Sequence, residues 1–221
     1  MLWALGQPAA AAGLLGAFLL GVGLRVVAQR LTARSFGVAG PIRPRVRGDV
    51  DPFGALAALF GGTGWGRVAL SVDGLGRGRQ AAVLVAGPLV VVAASQGVLA
   101  GYRYASPDDR SALLVNYPSD VLRGVVIDSV AAQVLLSVGI GLLCFALLAL
   151  VPLPPLDGFG LWWLSMAEPG ERAHRARRVL VDHHVGVVAL LILVSVPLGT
   201  RAPLMLQAFD VVATPLMRAW V

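Results

Sequence analysis

Four apolar runs, separated by stretches that carry most of the arginines, set the pattern of this chain: residues 9–27, 81–100, 125–151 and 185–198. A helix needs about 20 apolar residues to cross the hydrocarbon core of a bilayer, and the first three runs reach that length. The fourth is shorter and ends at Pro197 and Gly199. Together they predict an all-α polytopic membrane protein, a single integral domain over residues 1–221 with about four transmembrane helices spanning about 9–29, 81–100, 125–151 and 185–198. No positive charge precedes the first run, and no small-residue cleavage pattern leads from it into a polar segment. It is therefore expected to be an uncleaved span, not a signal peptide.

Between the first two runs lies a shorter apolar stretch, 53–60, preceded by Asp49-Val50-Asp51-Pro52-Phe53-Gly54 and followed by Gly61-Gly62-Thr63-Gly64-Trp65-Gly66-Arg67. It is too short to span, which predicts a re-entrant or interfacial element over residues 49–72. Two arrangements fit: a glycine-rich loop lying on the interface with Trp65 as its aromatic anchor, or a strand edge open to an extended peptide. Residues 203–221 are apolar apart from Asp210 and Arg218 and are expected to lie on the outer surface or dip into it.

Composition strengthens the membrane reading. The chain is 57% hydrophobic and only 14% charged, with a mean hydropathy of +0.78, too few charges to cover a soluble domain. All 18 basic residues are arginine. Arg25, Arg30, Arg34, Arg43, Arg45 and Arg47 end or follow the first run, and Arg172, Arg175, Arg177 and Arg178 lie in a basic segment over residues 158–184. By the positive-inside rule both belong in the cytoplasm, the N-terminus lies outside, and the nearly charge-balanced residues 102–123 form an external loop. A bacterial plasma membrane is the expected location, with the lipid bilayer as a partner. Nucleic acid is excluded as a partner because no basic stretch is interleaved with aromatics. Trp162 and Trp163 read as an interfacial belt. The single Cys144 rules out an internal disulfide and a cysteine-based zinc site.

The candidate chemistry concentrates where the third run ends, at Pro152-Leu153-Pro154-Pro155-Leu156-Asp157-Gly158. A carboxylate at the end of a membrane helix is costly unless something faces it, which makes Asp157 a functional candidate. His183 and His184 invite a metal-site reading, but helical neighbours point about 100° apart and do not ligate well together with Asp157.

These motifs resemble those of the site-2 proteases, the intramembrane zinc peptidases. That family carries Asn-x-x-Pro-x-x-Pro-Leu-Asp-Gly on a late membrane helix, with its Asp as a zinc ligand; residues 149–158 keep Pro152, Pro155, Asp157 and Gly158 and place Ala149 at the Asn, with Pro154 added. The family's His-Glu-x-x-His and its Ala-Arg-x-x-Gly tail correspond to Arg25-Val26-Val27-Ala28-Gln29 and Ala33-Arg34-Ser35-Phe36-Gly37. Its His-x-Asp-Pro-x-Gly element and Gly-x-Gly-Trp turn correspond to residues 49–54, with Asp51, Pro52 and Gly54, and to residues 62–65. Its Ala-Gly-Pro-x-x-Asn corresponds to residues 86–91, with Gly87 and Pro88 kept and Val91 at the Asn.

The resemblance covers roughly residues 25–160 and implies a site-2 protease-like core. It also implies that catalysis by the family's mechanism is lost. A guanidinium has no lone pair for zinc, and Val26 cannot act as the general base. The expectation is a pseudoprotease without catalytic residues or cofactor, binding a transmembrane peptide or partner membrane protein in the old substrate groove. The alternatives are an active zinc metalloprotease with rearranged ligands drawn from His183, His184 and Asp157, and a small transport or channel component. Arg25 and Asp157 occupy positions that the resemblance brings to one former metal site. There the guanidinium is expected to fill the zinc position and bond the carboxylate, with Gln29 beside them. The competing expectation is that Arg25 snorkels to the headgroups with Arg30.

Overall fold

Each long apolar run folds as a helix. The computed structural model describes residues 1–67, 74–109, 111–197 and 202–221. After a 3₁₀ turn at Leu2–Ala4 come α1 (Pro8–Ser35), α2 (Val46–Asp49), α3 (Pro52–Gly61), α4 (Arg77–Ala105), α5 (Ser111–Val115) and α6 (Pro118–Arg123). Then follow α7 (Val130–Ala149), α8 (Asp157–Ser165), α9 (Glu171–Arg177), a π-helical turn at Arg178–Asp182, α10 (Val185–Ser195) and α11 (Leu204–Arg218). Proline opens α1, α3 and α6, where a missing N–H costs nothing.

α1, α4 and α7 are long and apolar enough to cross a membrane; a fourth crossing exists only if the bent pair Glu171–Asp182 and Val185–Ser195 counts as one. α1 and α4 run beyond the predicted spans 9–29 and 81–100 at both ends. α7 is shorter than 125–151, because Ser129 caps it by accepting from Ala132 N–H. α10 is 11 residues, and the end of the predicted 185–198 span, Leu198, lies outside the described residues.

α1, α4 and α7 pack against one another as the central bundle. Small residues let their backbones approach: a Cβ added at Gly13 would sit 2.7 Å from that of Ser137, and one at Gly141 would sit 2.6 Å from that of Ala17. Such contacts are how helices associate where lipid offers no hydrophobic drive. Ser95 on α4 adds a hydrogen bond across the bundle to the Gly139 carbonyl of α7 at 2.8 Å.

In its described part, residues 49–67, the 49–72 element is a hairpin of α3 and a returning limb whose residues 62–66 are buried, not a loop lying on the surface. Asp51 caps α3 by accepting from Phe53 and Gly54 N–H, each at 2.9 Å. Gly62, at φ +81°, turns the chain back in the left-handed region, and residues 62–67 return alongside α3. A Cβ on Gly54 would fall 1.9 Å from the Trp65 carbonyl oxygen, so the two limbs close only over glycine. Trp65 is consequently a core residue, 2% exposed, which corrects its expected role as an interface anchor. The expected strand edge reduces, among the described residues, to one isolated antiparallel bridge between Val50 and Gly66. Residues 68–72 of this element lie outside the described residues.

The hairpin reaches far along α1. Gly66 packs on Val22, while Ala58 at the other end of α3 accepts from the Met1 amino group at 3.2 Å. α10 lies against α3, with Gly61 on Val194, and its own start packs on Pro154 through Gly186. α11 turns its Leu206, Phe209, Ala213 and Met217 face inward, onto α6 and α7. The expected external loop is largely helical: Tyr102 is fully buried in α4, and α5 and α6 occupy most of the rest.

Candidate functional site

Asp157 owes its position to the prolines before it. α7 stops at Ala149 and the chain folds back so closely that a Cβ on Gly158 would lie 2.0 Å from the Leu150 carbonyl oxygen. Pro152 is exposed on this turn, Pro155 is partly buried and Pro154 is buried against Gly186. Asp157 then starts α8 with its carboxylate turned inward, 2% exposed.

Arg25 meets it from α1. Nε donates to Oδ2 and Nη2 to Oδ1, both at 2.6 Å, which is the two-pronged geometry that matches guanidinium to carboxylate. The third nitrogen, Nη1, donates to the Arg67 carbonyl at 2.8 Å. One side chain thus ties together α1, the turn into α8 and the returning limb of the hairpin. At 2% exposure it does not snorkel. Arg30, one turn and a half further on, donates to the Asp49 carboxylate at 2.5 Å and to the Arg43 carbonyl at 2.8 Å. Asp49 is thereby a partner for a second arginine.

Gln29 lies beside Arg25, and the two pack on Gly87 of α4: a Cβ there would sit 2.7 Å from Arg25 Cγ and 3.2 Å from Gln29 Nε2. The close approach of α4 at Gly87 is what leaves room for these two long side chains. Gln29 Nε2 is buried without a hydrogen-bond partner. Val26 is fully buried in the core, Pro88 is buried, and Val91 and Ala149 are apolar core positions. Asp51, Pro52 and Gly54 serve the start of α3 and its contact with Trp65. Sequence reasoning missed the Arg67 carbonyl and the Arg30–Asp49 pair. For the pair, the opposite charges at 30 and 49 were the available signal; a backbone carbonyl leaves none.

The residues around Asp157 do not fit zinc. Both carboxylate oxygens are engaged by a permanent cation, and the neighbouring polar groups are a guanidinium and an amide that is a poor ligand. Among the described residues no three His, Cys, Asp or Glu side chains converge on one point. His183 and His184 are exposed on the turn before α10 and do not gather with Asp157. Comparison with models of known families, with curated proteins and with solved structures returns no match to this chain.

Proposed function

We propose that this chain is a non-catalytic homologue of the site-2 proteases that holds a transmembrane segment of a partner protein against its re-entrant hairpin. The observation that carries the reading is the Arg25–Asp157 pair. In the motif frame that the resemblance supplies, its two members stand at metal-ligand positions, and their mutual contact engages both carboxylate oxygens that would otherwise coordinate a metal. Amide hydrolysis needs an activated water and a base to deprotonate it. The three residues in the signature frame, Arg25, Val26 and Gln29, offer neither.

The partner surface is the outer face of the hairpin. Phe53, Leu56, Leu59 and Phe60 are exposed along α3. Leu15 and Phe18 of α1 join Ala55, Leu56 and Leu59 around an open apolar cleft of about 250 Å³. A helical segment pressed there would gain packing against a rigid wall, because Arg25 fixes the hairpin's returning limb.

Photocrosslinkers at Leu56 and Leu59 in native membranes test the reading. The expected product is a discrete crosslink to a membrane-spanning segment of another protein, lost when Gly54→Leu displaces the hairpin, with no zinc in the purified chain. Cleavage of a membrane reporter that requires Asp157 and is restored by zinc after chelation would overturn it in favour of an active peptidase.

A further inference from the structure

We infer that α9, together with the tryptophans of α8, forms a docking platform for the phosphate headgroups of anionic phospholipids. α8 begins where α7 ends, so Trp162 and Trp163 stand at the level where a spanning helix leaves the hydrocarbon. Interfacial tryptophans mark that level. α9 is built onto them: the Arg177 guanidinium lies 4.7 Å over the Trp163 ring and the His174 ring meets its edge at 5.3 Å. Arg77, at the start of α4, donates to the Ala167 carbonyl and ties the connecting loop to the bundle at 2.5 Å.

The orientation of α9 follows from the turn behind it. The π-helical residues Arg178–Asp182 and His184, at φ +54°, bend the basic helix by 67° from the apolar α10. α10 packs on α3 and on Pro154, and α9 turns away from its axis. His174 and Arg177 face the tryptophans, Arg172 and Arg175 lie on other sides of the helix, and Arg178 stands one turn beyond His174. Arg172, Arg175 and Arg178 are exposed. Glu171 pairs with Arg175 at 3.1 Å; among the described residues Arg172 and Arg178 meet no acid. Glu168 and Asp182 are exposed at either end of the segment.

Two free guanidiniums beside a cation held on an aromatic face match phosphate better than carboxylate-rich protein, because the planar fork takes two phosphate oxygens at once. An arginine close to an anionic membrane surface is worth about fivefold in docking.

The full chain in lipid nanodiscs, with an environment-sensitive fluorophore on Ala176→Cys, tests this; Cys144 is buried in α7 and stays unlabelled. Discs of phosphatidylcholine with phosphatidylglycerol should give a blue-shifted emission relative to phosphatidylcholine alone, reversed by high salt. Arg172→Gln with Arg178→Gln should lower the docked-to-undocked ratio by about 25-fold. If that variant does not fold, the salt titration of the chain with both arginines decides. Equal emission in the two lipids, or a shift that survives salt, overturns the proposal. So does emission that responds only to added membrane proteins, which would assign the surface to an acidic protein.

Discussion

At the scale of single residues, the Arg25–Asp157 pair is worth more as a constraint than as a source of stability. Desolvating both charges offsets much of their attraction, whereas removing one leaves the other buried and unmatched, at about 3–5 kcal/mol. Asp157→Ala should therefore destabilise the chain by about that much in denaturant unfolding from detergent micelles. Adding Arg25→Met should restore most of the loss. Recovery should stop short of complete, because the partly buried Arg67 carbonyl then loses its Arg25 donor. A double variant no more stable than Asp157→Ala alone would mean that the pair is not the buried unit described here. The contact between Arg25 and Asp157 was expected from a resemblance that set both residues at one site, and the two side chains do meet. Trp65 was misread: its type and glycine-rich surroundings suit an interface, and only the limb-to-limb contact at Gly54 shows that it is buried.

At the scale of elements, length and hydropathy located α1, α4 and α7, since a long apolar run has few other folds open to it in lipid. They could not give the depth of α3. Ten apolar residues are equally compatible with lying on a surface or entering a bundle, and the choice was made by contacts distant in sequence, to Val194 and the Met1 amino group. The seam between α6 and α11 was likewise invisible. There Asp210 accepts from Ser119 N–H at 2.8 Å and from Ser119 Oγ at 2.7 Å. Burial raises the Asp210 pKa above its ordinary 3.8, the Ser119 bonds pull it down and nearby Asp120 adds to the rise. A carboxyl whose folded pKa is raised stabilises the fold most when protonated, below 3.8, and loses that contribution as pH climbs through the raised value. Asp210→Asn mimics the protonated form and can still accept from Ser119 N–H while donating to its hydroxyl. It should leave the chain at least as stable at neutral pH and flatten the pH dependence of the unfolding midpoint above 3.8. A midpoint that falls on acidification in both proteins would show that other groups govern this range.

At the scale of the whole molecule, the contacts bring both ends of the chain to one end of the bundle. Gly124 packs on Ala4 beside the 3₁₀ turn, Ser119 of the neighbouring α6 binds Asp210 of α11, and Trp220 donates to Gln96 near the same end of α4 at 2.8 Å. α1, α4 and α7 take the chain along the bundle three times, so a return is required to bring its two ends together, and α10 provides the path from Pro154 to Gly61. Eleven residues rise only about 16 Å, roughly half of a hydrocarbon core of about 30 Å. The return is possible because α10 runs beside α3, an equally short apolar helix, so that each covers part of the other. The positive-inside rule predicts the sides: the ends of α1 and α4 near Arg34, Arg77 and Arg79, and α9, are expected in the cytoplasm, with Met1 and α11 opposite. Single cysteines at Arg45 and Arg177 should react with an impermeant reagent only from the cytoplasmic face, and those at Asp108 and Arg218 only from the other. Positions 108 and 218 labelling from opposite faces would mean that α10 does not return the chain. Positions 45 and 108 labelling from one face would remove the crossing by α4, on which the placement of Gly87 against Arg25 depends.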